Sequence, residues 1–177
     1  LGSYLVALVI LTSIQLGALL FLMTGHAMSA SWVTVVRPAA EALSLTLPFT
    51  AILFLPVLIG VGELYPWAAA GVDLGEKAFY LSPTPFRIRA VFYFVLWSAA
   101  AALVVRGIDV KTENARSRVA SCAGLPLVGL SLTFAAFDWL MSLEPGWFSS
   151  AFGVYFFSGS IMSSVALLAL LAAARKG

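Results

Sequence analysis

The sequence predicts an all-α fold: a polytopic helical membrane protein in which about five transmembrane helices form one bundle over residues 1–177. Three observations predict it. The chain is 62% hydrophobic and only 10% charged, with a mean hydropathy of +1.02, against about 45–50% apolar and about 25% charged residues in soluble domains. Its apolar residues are gathered in runs of roughly 20, the length a helix needs to cross a hydrocarbon core. Short connectors separate the runs and carry most of the Lys and Arg together with clusters of Pro and Gly.

The first run, Tyr4–Met23, is too long for the apolar region of a signal peptide and has no basic residue before it. Because it begins almost at Leu1, the chain is expected to be part of a longer subunit. The second, Ala42–Val61, contains Pro48 and Pro56, each of which removes a backbone donor and predicts a kink. Thr46 and Thr50, with Gln15 of the first run, are candidates for a polar interior, although hydroxyls commonly bond their own helix. The third and fourth runs are Phe86–Val105 and Ala120–Leu143, and the last is Phe148–Ala174. Between the second and third, Glu63–Pro85 mixes aromatics with Pro and Gly, the composition of an ordered cap. Arg106–Arg118 alternates charges of both signs and reads as a solvated loop.

If the spans alternate, Arg37, Arg106, Lys111, Arg116, Arg118, Arg175 and Lys176 fall on one side and Lys77, Arg87 and Arg89 on the other. The first side is expected to be cytoplasmic. The net charge of +2 is small and no basic stripe follows a groove, so nucleic acid is not an expected partner. A lone Cys122 and a lone His26 cannot supply a haem-attachment run, an iron–sulfur ligand set or a paired-imidazole haem site. No metal or other cofactor is expected on this chain. His26, beside Gly25 at a span end, reads as a solvated interfacial imidazole, and Cys122 as a small packing residue.

Asp138 is the residue that most needs an explanation, because an ionisable group inside an apolar span is costly to hold in lipid. Counting back from Glu144 at 1.5 Å per residue places it about 9 Å inside the membrane face. On a helix, Ser131, Phe134, Asp138 and Met141 or Ser142 share a side. Two kinds of role follow: a carboxyl that braces neighbouring helices, or a functional one, as a proton acceptor near a quinol hydroxyl or a station on a proton path, with Ser131, Ser142 and Glu144 as companions. Glu144 precedes Pro145-Gly146 and reads first as a turn residue. Ser149, Gly153, Ser160 and Ser164 line up as a small-residue stripe suited to close helix packing.

Taken together, Ser31-Trp32 through Arg37 and Glu41, Leu64-Tyr65-Pro66-Trp67, Lys77 through Leu81, Arg89 through Phe94, and above all Phe134–Phe157 resemble the ActF-type membrane subunits of bacterial alternative complex III. These belong to the NrfD/PsrC-like class of helical-bundle proteins. The resemblance covers nearly the whole chain. It departs from the family pattern at Gly146, where an imidazole is expected, and at Pro38, where a second basic residue is usual. It implies a longer subunit of about ten spans in the bacterial inner membrane, beside an NrfD-like sister subunit and periplasmic iron–sulfur and haem c proteins. It also implies a quinol:electron-acceptor oxidoreductase at the level of the whole complex, with menaquinone the quinone of the assembly. The competing class is a secondary transporter whose proline-kinked helix surrounds a substrate.

Overall fold

A computed structural model describes residues 1–69, 72, 75–106 and 115–174. Lys111, Arg175 and Lys176, and most of the Arg106–Arg118 connector, lie outside the described residues. All regular structure among the described residues is helical. The long helices are α1 (Gly2–Ala27), α6 (Pro83–Arg106), α7 (Ala115–Trp139) and α8 (Phe152–Ala174), and the second span is built from the short helices α2 (Arg37–Leu45), α3 (Leu47–Leu53) and α4 (Leu55–Ile59). A single turn, α5 (Val61–Leu64), follows it. Among the described residues, five helical stretches are long and apolar enough to cross a membrane: Gly2–Ala27, Arg37–Ile59, Pro83–Arg106, Arg118–Leu143 and Phe152–Ala174.

α1 is the central helix. Leu16, Ala18, Leu19 and Leu22 are fully buried, whereas α6, α7 and α8 leave Val95, Leu130, Val154 and Met162 well exposed. Those outward faces are apolar, as a bilayer requires. α1 and α8 approach closely at Gly17, where a Cβ would lie 2.0 Å from the Ser160 carbonyl oxygen and 2.7 Å from Ser164 Cβ. No side chain fits there, so glycine sets the α1–α8 distance. Ser164 Oγ then donates to the Ile14 carbonyl at 2.9 Å. Gly153 serves α7 in the same way, its missing Cβ leaving room for Thr133. The stripe of the last span is therefore divided between two neighbours, and Ser149 lies before α8 begins.

The two expected kinks break the second span into its three pieces. Pro48 and Pro56 each stand at the start of a new helical piece, just after Thr46 and Phe54. At the second break the Val57 N–H turns to Phe54 O, and Tyr4 of α1 donates its hydroxyl to the Leu53 carbonyl at 2.6 Å. Arg87 of α6 does the same for Leu58, Nε to O at 2.8 Å, just before Gly60 ends α4. Gln15 Nε2 donates to Thr46 Oγ1 at 2.7 Å and Thr50 Oγ1 at 2.8 Å, and Thr50 returns a bond to Gln15 Oε1 at 3.0 Å. Gln15, Thr46 and Thr50 thus bond one another, which the burial of Gln15 and Thr50 in an apolar bundle demands.

Candidate functional site

The site grows from two helices that reach the same end of the bundle. α6 begins at Pro83 and α7 ends at Trp139. Arg89 lies six residues inside α6, about 9 Å at the helical rise, which is the depth expected for Asp138. The two meet as a fork: Arg89 Nε donates to Asp138 Oδ2 at 2.9 Å and Nη2 to Oδ1 at 3.0 Å. Tyr93, one turn beyond Arg89, donates its hydroxyl to Oδ2 at 2.8 Å. Asp138 is 1% exposed and is held by three donors. Two-pronged, charge-assisted bonds of this kind are the strongest a carboxylate can accept.

The pair is closed from outside by the segment after the second span. Arg89 Nη2 also donates to the Tyr80 carbonyl at 3.1 Å, and its guanidinium lies 3.9 Å above the Tyr80 ring. Lys77 Nζ donates to Pro145 O at 3.1 Å, tying the same segment to the turn before α8. Burial, reinforced by the negative charge of Asp138, pushes the phenols of Tyr80 and Tyr65 well above their usual range. Tyr65 donates to the Trp139 carbonyl at 3.2 Å, and its ring packs with Trp67 and Phe86. The ordered cap expected over Glu63–Pro85 is present in its described residues, with Tyr65, Trp67 and Leu81 buried.

Beneath the ion pair lies an aromatic layer. Trp139 packs on Phe54 at 4.5 Å and on Phe94 at 5.5 Å, and Tyr93 stacks on Trp97 at 5.8 Å. Trp97 Nε1 donates to Ser131 Oγ at 2.8 Å, and Ser131 donates on to Val128 O at 3.0 Å. The indole N–H groups of Trp139 and Trp67 are buried without a partner.

The three expected companions are placed unevenly. Ser142 donates to the Asp138 backbone carbonyl. Ser131 is engaged by Trp97 and reaches the carboxylate only through the Trp97–Tyr93 stack. Glu144 is exposed in the turn and accepts the Trp147 N–H on its carbonyl at 3.0 Å. Phe134, expected on the carboxylate's side, is 47% exposed and faces outward. Asp138 itself faces inward near the end of the helix, which stops at Trp139 before a short 3-10 turn. Two further expectations are corrected. His26 is not solvated: both ring nitrogens are buried and unpartnered. Cys122 is exposed, so it does not fill the interior of the bundle. Glu41 pairs with Arg37 at 2.6 Å, one turn away on α2.

Sequence reasoning missed Arg89 and Tyr93 as partners of Asp138. The signal was present in their spacing of four residues, which puts both on one helical face, and in the matching depths of the cation and the acid. Among the described residues no group of three His, Cys, Asp or Glu could hold a metal ion. A scan against family models finds no match to this chain, and a search of curated proteins finds none either.

Proposed function

We propose that this chain forms part of an integral membrane subunit of a respiratory quinol:electron-acceptor oxidoreductase of the alternative complex III type, in the bacterial inner membrane. One observation carries the reading. Segments that support the resemblance, 64–67, 77–81, 89–94 and 134–157, are far apart in sequence yet meet around Asp138 through Tyr65, Tyr80, Arg89, Tyr93 and Pro145. A motif spread over the chain that converges on one site is the pattern of a shared structural requirement, not of shared membrane composition. In this role the chain supplies no redox group. It fixes a rigid cap at one end of the bundle, the end that iron–sulfur and haem c partners would meet, while menaquinol is oxidised by the assembly.

Within that role Asp138 acts as a brace. Its carboxylate is occupied by two donors from Arg89 and one from Tyr93, which ties the end of α7 to α6. The transporter reading draws less support, because the carbonyls at Leu53 and Leu58 in the broken helix already accept side-chain donors from α1 and α6. Purification from native membranes tests the reading: haem absorbance and iron should accompany the chain in stoichiometric amounts. A monodisperse protein free of both would refute it.

A further inference from the structure

A cavity of about 620 Å³ opens beside the brace, between the segment holding Lys77 and Tyr80 and the end of α7. Its floor is apolar, made by Phe137 and Met141, and its outer wall carries Trp147 and Phe148. The last two are 49% and 78% exposed, and aromatic side chains at a span end mark the headgroup level of a bilayer. The volume lies within the usual range for a small-molecule site of about 300–1,000 Å³.

Two opposite charges stand close to this cavity: Lys77 in its lining, and Glu144 in the adjoining turn, of which Pro145 and Trp147 line it. Lys77 lines the cavity and spends one of its three donors on Pro145 O at 3.1 Å. Glu144 is the preceding residue, exposed, with Oε1 only 3.7 Å from where a Gly146 Cβ would stand. Among the described residues neither is in an ion pair. A cation and an anion around one turn, above an apolar floor at headgroup depth, complement a zwitterion with an aliphatic tail.

We propose that this cavity binds a glycerophospholipid with a primary-amine headgroup, phosphatidylethanolamine being the natural case. The phosphate bonds Lys77, the ammonium bonds Glu144, and the start of an acyl chain lies over Phe137 and Met141. An anionic headgroup satisfies Lys77 but meets Glu144 as a like charge. The site therefore selects by headgroup, as basic pockets between membrane helices are able to do, and the selection does not depend on which complex the chain belongs to.

The test uses the full chain in mild detergent, titrated separately with phosphatidylethanolamine and phosphatidylglycerol and read by native mass spectrometry. One phosphatidylethanolamine per chain is expected, held roughly threefold more tightly than phosphatidylglycerol, the scale of one exposed ion pair. Lys77→Gln should weaken both lipids and Lys77→Arg should restore them. Glu144→Gln should abolish the preference while leaving phospholipid binding in place. Both positions are exposed, so helical circular dichroism should be unchanged. Equal or tighter binding of phosphatidylglycerol by the native chain would overturn the proposal. So would a preference that survives Glu144→Gln, or binding indifferent to Lys77→Gln.

Discussion

Replacing Asp138 by Asn is the most informative single change to this fold. The amide keeps the shape of the carboxylate and one carbonyl oxygen, which still accepts the Tyr93 hydroxyl now at 2.8 Å. Its NH2 must then face an Arg89 nitrogen, donor against donor, and the guanidinium loses its counter-charge. Of the three bonds into Asp138, the one from Arg89 Nη2 at 3.0 Å is lost, while the Nε bond at 2.9 Å keeps an acceptor but not its counter-charge. A hydrogen bond to a charged group is worth about 1.5–3 kcal/mol, and with the guanidinium stranded the upper figure, about 3 kcal/mol, applies. An independent route agrees: removing one partner of a buried pair costs about 3–5 kcal/mol, and the lower end applies because the Arg89 side chain is 21% exposed. The assay is reversible unfolding in mixed detergent micelles. Because most of the damage is a stranded cation, the double variant Arg89→Leu/Asp138→Leu should recover at least half of what Asp138→Leu loses. Asp138→Asn with unchanged stability, or a double variant no better than its parent, would refute the brace. Asp138→Asn in the native assembly also separates the two roles of the acid. Under the function proposed above, quinol oxidation and the proton-to-electron ratio should be normal in whatever fraction assembles, whereas a proton station would lose coupling at full assembly.

Gly17→Ala should cost more than the about 1–3 kcal/mol usual for overpacking, because the added carbon meets the backbone of Ser160 at 2.0 Å. Gly62→Ala, with nothing within 4 Å, serves as the tolerated control in the same unfolding assay. Gln15→Leu should destabilise by about 1 kcal/mol, near the upper range for hydrogen bonds between membrane helices, by leaving the Thr50 hydroxyl only its longer bond to Thr46 O at 3.5 Å. In a Cys122→Ser background, Gly62→Cys should react with an impermeant thiol reagent on whole cells and Met28→Cys should not, and the reverse result would invert the orientation. In an ultraviolet alkaline titration, the Tyr65 and Tyr80 phenols should remain neutral past about pH 10, the usual tyrosine value. A raised phenol stabilises the fold below the unfolded value, and that contribution is lost as pH rises through the folded one. Tyr80→Phe should remove one of these late steps.

How much of this was legible follows from which interactions are local. Span number and approximate limits follow from run length, because the bilayer imposes a single dimension on each helix. The breaks at Pro48 and Pro56 were equally readable, since a missing donor is a property of the residue itself. The Gln15–Thr46–Thr50 cluster could be anticipated because few polar groups were available to pair. What sequence did not give was direction. Phe134 and Asp138 share a spacing but not a side, and Ser131 turned to Trp97, a residue on another helix. The outward placement of Cys122 and the dry imidazole of His26 depend likewise on which faces α1 and α7 present to their neighbours, which no single-helix pattern encodes. Arg89 and Asp138 are separated by 49 residues, and only their common depth linked them in advance.

The borrowed donors of the second span bear on how the protein is made. Carbonyls facing lipid without a partner cost several kcal/mol each, so the segment 37–59 is a poor free-standing passenger as it leaves the insertion machinery. The Leu53 carbonyl is satisfied by Tyr4, already synthesised, but the Leu58 carbonyl waits for Arg87, which emerges only with the following span. The second and third spans are therefore expected to leave the translocon as a pair docked on the first. Truncating the nascent chain before Arg87 should leave the second span retained beside the translocon or cleared by proteolysis.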